Sequence, residues 1–314
     1  MLTRLLIYLI LPALIPGCSC RPGSSNTQGE QTGLPLVVAT TTIIADMAEN
    51  LCGGRMQVKS LMRPGEDPHI YDPRPLDARL ISQAKIVLSN GLHLEGTLQE
   101  IIRNNLAQGA IHLALAEDPR IKPIESQQYK GAPDPHCWFN LKYFKIYTER
   151  AMTALIQCDP EGEETYRANA ARYLAELDSL DRYTRNLFSK IPSHRRILVT
   201  AHDAFRYFGL EYGIEVMGVI GISTDQEPRP QDVEKLISAI NEKHVTAVFI
   251  ESSVAPALNN LVRKIAEKTG ARIGGSLYSD SLGEPEGPAG TFIKMFRHNV
   301  DTIAEALMKG NTAA

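Results

Sequence analysis

The chain has 314 residues and a formal net charge of −3 at pH 7, from 33 Lys and Arg against 36 Asp and Glu. Its length fits two domains of ordinary size. A near-neutral balance without a block of basic residues argues against a nucleic-acid-binding protein, which needs clustered positive charge.

The N-terminal segment has the composition of an export signal followed by a tether. Residues 1–17 contain Arg4, a short apolar stretch and small residues at the end, which predicts a signal peptide. The apolar stretch is too short to span a bilayer. Gly17 before Cys18 is typical of a bacterial lipoprotein cleavage site, so we expect Cys18 to carry lipid. Ordinary secretion with a different cut site is the alternative. Residues 18–34 are small and polar and predict a lipidated flexible tether.

The remaining chain alternates segments typical of strands with segments typical of helices. Apolar, β-branched runs predict strands at residues 35–42, 56–62, 85–89, 110–114, 196–200, 214–220, 247–250 and 271–277. Helical spacing and stop signals predict helices at residues 43–51, 75–84, 95–106, 140–157, 203 onward, 231–243, 256–269 and 291–308. This alternation indicates right-handed βαβ units and parallel sheets.

A charged segment without internal Gly or Pro separates the two series of strands and helices. From Glu163 to Lys190, tyrosines and leucines recur with helical spacing between charged residues, which predicts one long, stiff helix. We therefore divide the chain into an N-terminal lobe (residues 35–160), a linking helix (161–192) and a C-terminal lobe (193–314). The predicted fold class is α/β, with two lobes that each contain a parallel β-sheet flanked by helices.

Four short motifs, two in each half, offer metal ligands. Their candidate side chains are those of His69, His136, His202 and Asp280. We expect all four near the carboxyl ends of strands, the edge at which open parallel sheets bind ligands. Three imidazoles and one carboxylate can close a shell around a borderline or hard divalent cation. If the lobes face each other at these edges, the four side chains converge in the interlobe cleft, and each lobe is a metal-binding lobe.

Other residues near these motifs are candidates to support or line the site. Asp67 and Asp134 can accept the second ring hydrogen of a ligand histidine, although solvated loop acids are an equal alternative. Glu251 ends a strand at the same edge and either supports a ligand or forms a structural salt bridge. Trp138, the single tryptophan, either walls the site or packs in the core. We place His93 among the residues that line the cleft, with a role as a metal ligand as the weaker alternative.

The three cysteines beyond the tether are Cys52, Cys137 and Cys158. A helix between the last two would separate them by roughly 30 Å at about 1.5 Å per residue, too far for a disulfide. A bridge from Cys52 to one of them remains an alternative. We expect free, buried thiols.

The ordered series of motifs resembles the metal-binding lipoproteins of bacterial ABC importers, the TroA, PsaA and ZnuA group, which are cluster A-I solute-binding proteins. The segments that carry the resemblance are PGEDPH, NGLHLE, DPHCWFN, LVTAHDAFRYF, GISTDQEP, VFIESS, LYSDSLG and HNVDTIAEAL. They cover nearly all of residues 35–309. The resemblance implies two lobes joined by a rigid helix, with ligand positions at His69, His136, His202 and Asp280.

The same resemblance implies a protein that captures Zn²⁺ or Mn²⁺ outside the cytoplasm and delivers it to an ABC permease and its ATPase. His202 stands where manganese-selective members often carry Glu, and imidazole favours zinc. Residues 117–135, however, lack the histidines that zinc importers of this family often have there. We expect a monomer, held on the membrane by its lipid anchor in the periplasm or on the cell surface, with no nucleic-acid partner.

Two other functions use a metal site differently. A surface adhesin would use the metal structurally. A zinc hydrolase usually keeps three protein ligands and an open position beside a general base. Four protein ligands can fill a tetrahedron and the sequence has no HExxH motif, so we do not expect an enzyme.

Overall fold

The computed structural model describes residues 33–126 and 131–309. The expected signal peptide and all but the last two residues of the expected tether lie outside these ranges. In the part of the chain that is described, no helix combines the length and apolarity needed to cross a membrane.

The first half of the chain forms a four-stranded parallel sheet in the order β2-β1-β3-β4. Its strands are β1 (Leu36–Ala39), β2 (Gln57–Ser60), β3 (Ile86–Ser89) and β4 (Ile111–Ala114). The helices between and after them are α1 (Thr42–Cys52), α2 (Pro75–Gln83), α3 (Leu98–Asn105) and α4 (Leu141–Cys158). Thr41 caps α1 by accepting the N–H of Ile44, and Gly53 ends it in the left-handed conformation.

One long helix, α5 (Glu163–Ser189), follows the first half and contacts α1, α4 and the last helix of the chain, α9 (Phe292–Lys309). Its buried side chains recur every three or four residues, as expected for one apolar stripe on a helix. They are Tyr166, Ala170, Tyr173, Leu177, Leu180, Thr184 and Phe188.

The second half contains two short parallel sheets, β5-β6 and β7-β8, with β5 next to β7. The strands are β5 (Ile197–Thr200), β6 (Glu215–Gly218), β7 (Ala247–Glu251) and β8 (Arg272–Leu277). The helices are α6 (Arg206–Tyr212), α7 (Pro230–Glu242), α8 (Pro256–Thr269) and α9 (Phe292–Lys309).

A single hydrophobic core cluster runs through both halves. Phe144 of α4 stacks on Phe292 of α9 with ring centroids 3.8 Å apart, and Phe139 packs on Phe205 at 4.4 Å. Because these pairs join residues that are far apart in sequence, burial of their rings holds the halves together. The described residues from Leu34 to Lys309 accordingly form one compact unit.

The predicted α/β class with parallel sheets flanked by helices is confirmed, and each predicted strand and helix is present. Some boundaries differ by up to three residues: α3 begins at Leu98 rather than Glu95, and α6 begins at Arg206 rather than near Asp203. The three described cysteines are free, as predicted. Cys52 and Cys137 are buried, whereas Cys158 is half-buried.

Candidate metal site

The structure brings His69, His136, His202 and Asp280 together. One ligand atom from each side chain lies within 4.8 Å of the others. His69 is in the loop after β2, His202 lies just past β5, and Asp280 lies just past β8. His136 precedes α4. The carboxyl edges of strands in both halves therefore meet at one point.

The donor atoms are spaced as the corners of a coordination shell. His136 Nε2 lies 3.2 Å from His69 Nε2, 3.4 Å from His202 Nε2 and 3.3 Å from Asp280 Oδ1. His202 Nε2 lies 3.3 Å from Asp280 Oδ2. Ligands about 2.1 Å from a tetrahedral zinc ion are roughly 3.4 Å from one another. These four distances are therefore close to those between the ligands of a tetrahedral zinc ion.

One of the four candidate ligands is less buried than the other three. His136 and His202 are 0% exposed and Asp280 is 1% exposed, whereas His69 is partly exposed. Buried charged groups are stable only when they are paired. The three inner side chains thus require either protons or a cation between them.

In the absence of a metal, the surroundings of His136 and His202 favour protonated imidazole rings. Burial opposes protonation of His136, but hydrogen bonds to Asp134 and Asp280 outweigh it and raise its pKa to about 9. For His202, burial is likewise outweighed, chiefly by the charges of Glu251 and Asp280, which raise its pKa well above the usual value. The same imidazoles hold the pKa of Asp280 well below its usual value against the effect of burial. A bound cation would replace these protons.

The pKa of His69 shifts in the opposite direction. Burial is the largest influence and lowers the pKa of His69 to about 3, with repulsion from the other two imidazoles added. His69 therefore presents a neutral ring to the site at physiological pH. A neutral imidazole has a free lone pair for a metal.

Two carboxylates fix the orientation of the inner histidines. Asp134 Oδ1 accepts the backbone N–H of His136 at 3.0 Å and contacts its Nδ1 at 2.8 Å. Glu251 Oε1 accepts the backbone N–H of His202 at 2.9 Å, and its Oε2 lies 2.7 Å from His202 Nδ1. Because Nδ1 of each ring lies against a carboxylate, Nε2 faces the ligand cluster.

Asp67 and Trp138 make other contacts. Asp67 Oδ1 accepts the backbone N–H of His69 at 2.9 Å, rather than the ring hydrogen that was one of its two alternatives. Its Oδ2 accepts the hydroxyl of Thr224 at 2.6 Å, so this carboxylate connects the two halves. Trp138 packs in the core and also walls the site, with its ring centroid 5.1 Å from that of His136.

Sequence reasoning missed the hydroxyl groups around the site. Ser279 donates to Asp280 Oδ2 at 3.0 Å, and Ser253 lies 3.0 Å from Ser279 between their hydroxyl oxygens. Ser253 follows β7 and Ser279 follows β8, at the edge that the ligands occupy. Their position just past parallel strands was the sequence signal that could have identified both serines.

Comparisons with known proteins match most of the chain. The family model described as ZnuA, zinc-uptake complex component A, periplasmic, matches residues 37–306. The manganese-binding lipoprotein MntA of Bacillus subtilis is 40% identical over 274 residues, covering 86% of this chain and 89% of that protein.

Solved structures match over most of the chain. The periplasmic zinc-binding protein TroA from Treponema pallidum superposes with a TM-score of 0.83 at 35% identity, covering 88% of this chain and 99% of that chain. The Mn-bound periplasmic metal binding protein from Candidatus Liberibacter asiaticus has a TM-score of 0.79 at 27% identity, with 87% and 99% covered.

Proposed function

Because the chain belongs to the ZnuA family, we propose that it is the extracytoplasmic solute-binding protein of an ABC importer and captures a divalent metal ion, Zn²⁺ or Mn²⁺. The observation that carries this proposal is the cluster of His69, His136, His202 and Asp280, whose donor atoms lie within 4.8 Å of one another. Relatives named for zinc and for manganese support both metals.

We assign the four side chains as the ligands of the transported ion. Three imidazole nitrogens and one carboxylate oxygen suit zinc, and the stability order of divalent ions also favours zinc over manganese. The carboxylates of Asp134 and Glu251 support this assignment, because ligand histidines usually donate their second ring hydrogen to such partners.

Titration of Zn²⁺ and Mn²⁺ into the purified mature protein tests the proposal. We expect binding tighter than micromolar, and we expect His69→Ala or His202→Ala to weaken it about tenfold or more. His194→Ala is the matched control, since this exposed histidine lies before β5, at the strand end opposite to His202. Absence of binding tighter than micromolar in the unsubstituted protein would contradict the proposal.

Delivery of the ion requires a membrane partner. We propose that the loaded protein docks as a monomer on a permease whose ATPase drives import, and that it is not an enzyme. Relatives named as substrate-binding lipoproteins of ABC transporters support this arrangement. Growth of a deletion strain that is rescued by added metal would support transport. A strain that loses surface attachment without any metal requirement would indicate an adhesin instead.

The N-terminal segment is proposed to provide the membrane anchor. Cleavage after residue 17 would make Cys18 the lipidated first residue, with residues 18–34 as the tether. We further propose that residues 35–160 and 193–314 act as two metal-binding lobes and residues 161–192 as their link. Mass spectrometry of the mature protein tests the anchor, since an unlipidated N-terminus at another cut site would contradict it.

A further inference from the structure

One cavity offers a route from solvent to the buried ligands. It has a volume of about 190 Å³ and is lined by His69, the single ligand with an exposed surface. Because the other three ligands are 0–1% exposed, an ion that enters along this cavity meets His69 first.

The wall of this cavity carries further metal-binding groups. The exposed side chains of His93 and Asp225 both line it, one from each half of the chain. An imidazole nitrogen and a carboxylate oxygen bind the same divalent cations as the inner site. The negative charge of Asp225 also raises the local concentration of cations at the cavity mouth.

The backbone that carries His93 is held in an unusual conformation. Leu92 and His93 have φ values of 54° and 64°, in the left-handed region that residues with a Cβ rarely occupy. Glu95 accepts the N–H of Gly91 at 3.2 Å, and Glu117 accepts the N–H of Leu92 at 3.3 Å. Such strain persists where surrounding contacts enforce it, commonly at functional sites. Here those contacts keep His93 at the cavity wall.

We propose that His93 and Asp225 form an outer, transient metal-binding site that passes the ion to His69. The inference rests on the proposed function and adds a defined path to it. Among the described residues, the inner site is the one cluster of three or more His, Cys, Asp or Glu donors. The outer pair therefore binds more weakly, and the ion moves inward to the site with more ligands.

Stopped-flow kinetics with Zn²⁺ distinguish this role from a structural one. Trp138 lies beside His136 and is the single tryptophan, so its emission reports filling of the inner site. In His93→Asn and Asp225→Asn together, we expect the association rate constant to fall about tenfold. The dissociation rate constant, measured with a competing chelator, should fall by the same factor and leave the Kd unchanged. This follows because a path intermediate does not alter the equilibrium between its two ends.

Asn is the substitution of choice at residue 93, because it tolerates positive φ and preserves the loop. His244→Asn is the matched control, since His244 is also exposed with a φ of 52° but lies before β7, at the opposite edge of the sheet. It should leave both rate constants unchanged. An unchanged association rate in the double variant, or a changed Kd, would overturn the inference. Absence of zinc binding in the unsubstituted protein would instead refute the proposed function.

Discussion

Asp134 determines how His136 responds to pH. In the metal-free protein the pKa of His136 is raised to about 9, since hydrogen bonds to Asp134 and Asp280 outweigh burial. A metal ion at Nε2 must therefore displace a proton at pH 7.5. Calorimetry in buffers of different ionisation enthalpy should detect release of at least about one proton per zinc, and affinity should keep rising with pH up to about 9. Affinity that levels off near pH 7 would contradict this assignment.

The matched variant for this prediction is Asp134→Asn, which removes the charge and keeps the shape. Because the raised pKa of His136 depends on this carboxylate, its pKa should fall and fewer protons should be released on binding. Zinc affinity should also drop by about 10–100-fold, as is usual when the partner of a ligand histidine is lost. A loss of affinity without a change in proton release would mean that Asp134 only orients the ring.

We predict that His202 biases the site toward zinc over manganese, because imidazole suits zinc better. Its replacement by Glu would exchange an imidazole for a carboxylate, which manganese prefers. The new carboxylate would also face Glu251 and Asp280, both of which now contact the imidazole. We expect His202→Glu to lower zinc affinity about tenfold or more and manganese affinity less, as measured by competition with a chelator.

The control for this substitution is the double variant His202→Glu with Glu251→Gln. Removal of one of the neighbouring charges should recover part of the affinity for both metals and preserve their new ratio, since repulsion acts on both alike. Equal losses for zinc and manganese in the single variant would show that selectivity depends on other residues.

At the scale of elements, α6 is hydrogen-bonded to the segment that precedes the ligand His136. The Tyr207 hydroxyl donates to the Asp134 carbonyl at 2.7 Å and accepts the N–H of Ile124 at 3.1 Å. Arg206 Nη1 donates to the Glu125 carbonyl at 2.8 Å. Since α6 begins shortly after His202, these bonds link the segment before His136 to the segment after His202.

Loss of these bonds should loosen the site. In Tyr207→Phe, the buried carbonyl of Asp134 and the half-buried N–H of Ile124 lose their partner, which should cost about 1–3 kcal/mol of unfolding free energy. Zinc should dissociate several-fold faster because Asp134 is less firmly placed. Tyr143→Phe is the control, as this hydroxyl accepts the N–H of Lys122 at 3.4 Å in an exposed contact. Equal effects of the two substitutions on zinc release would rule out a specific role for Tyr207.

The elements were more predictable from sequence than the contacts between them. Strand positions and α5 follow from local patterns of apolar residues, which need no knowledge of tertiary structure. The contact between Asp67 and Thr224 joins residues 157 positions apart, and no local pattern encodes it. The start of α6 was misplaced for a related reason. Asp203 has the chemistry of a cap, but its carboxylate lies 3.7 Å from Arg206 and caps no helix.

At the scale of the whole molecule, hydrogen bonds around the site join the two halves. The Ser281 hydroxyl accepts the N–H of Gly65 at 2.8 Å, and the Thr42 hydroxyl accepts the N–H of Leu282 at 2.9 Å. The stripe of buried side chains on α5 adds a continuous core between them. A helix of this length without internal Gly or Pro has no natural hinge. Metal release should therefore depend on loops rather than on wide separation of the halves.

Hydrogen–deuterium exchange with and without Zn²⁺ tests this expectation. Protection of backbone amides should increase in the loops where the two halves contact each other, because the ion adds a bond between the halves. These loops are residues 63–70, 222–225 and 279–282. The amides of α5 should exchange at the same rate in both states. Small-angle scattering should accordingly give radii of gyration that agree within about 1 Å between the two states, as for pre-organised binding proteins.

Ser281→Ala is the informative variant for the exchange experiment. With its bond to Gly65 removed, the loops of the metal-free protein should exchange faster, while the exchange of α5 stays unchanged. Slower exchange along α5 on zinc binding, or a larger change in radius, would require a hinge in that helix and would contradict a rigid link.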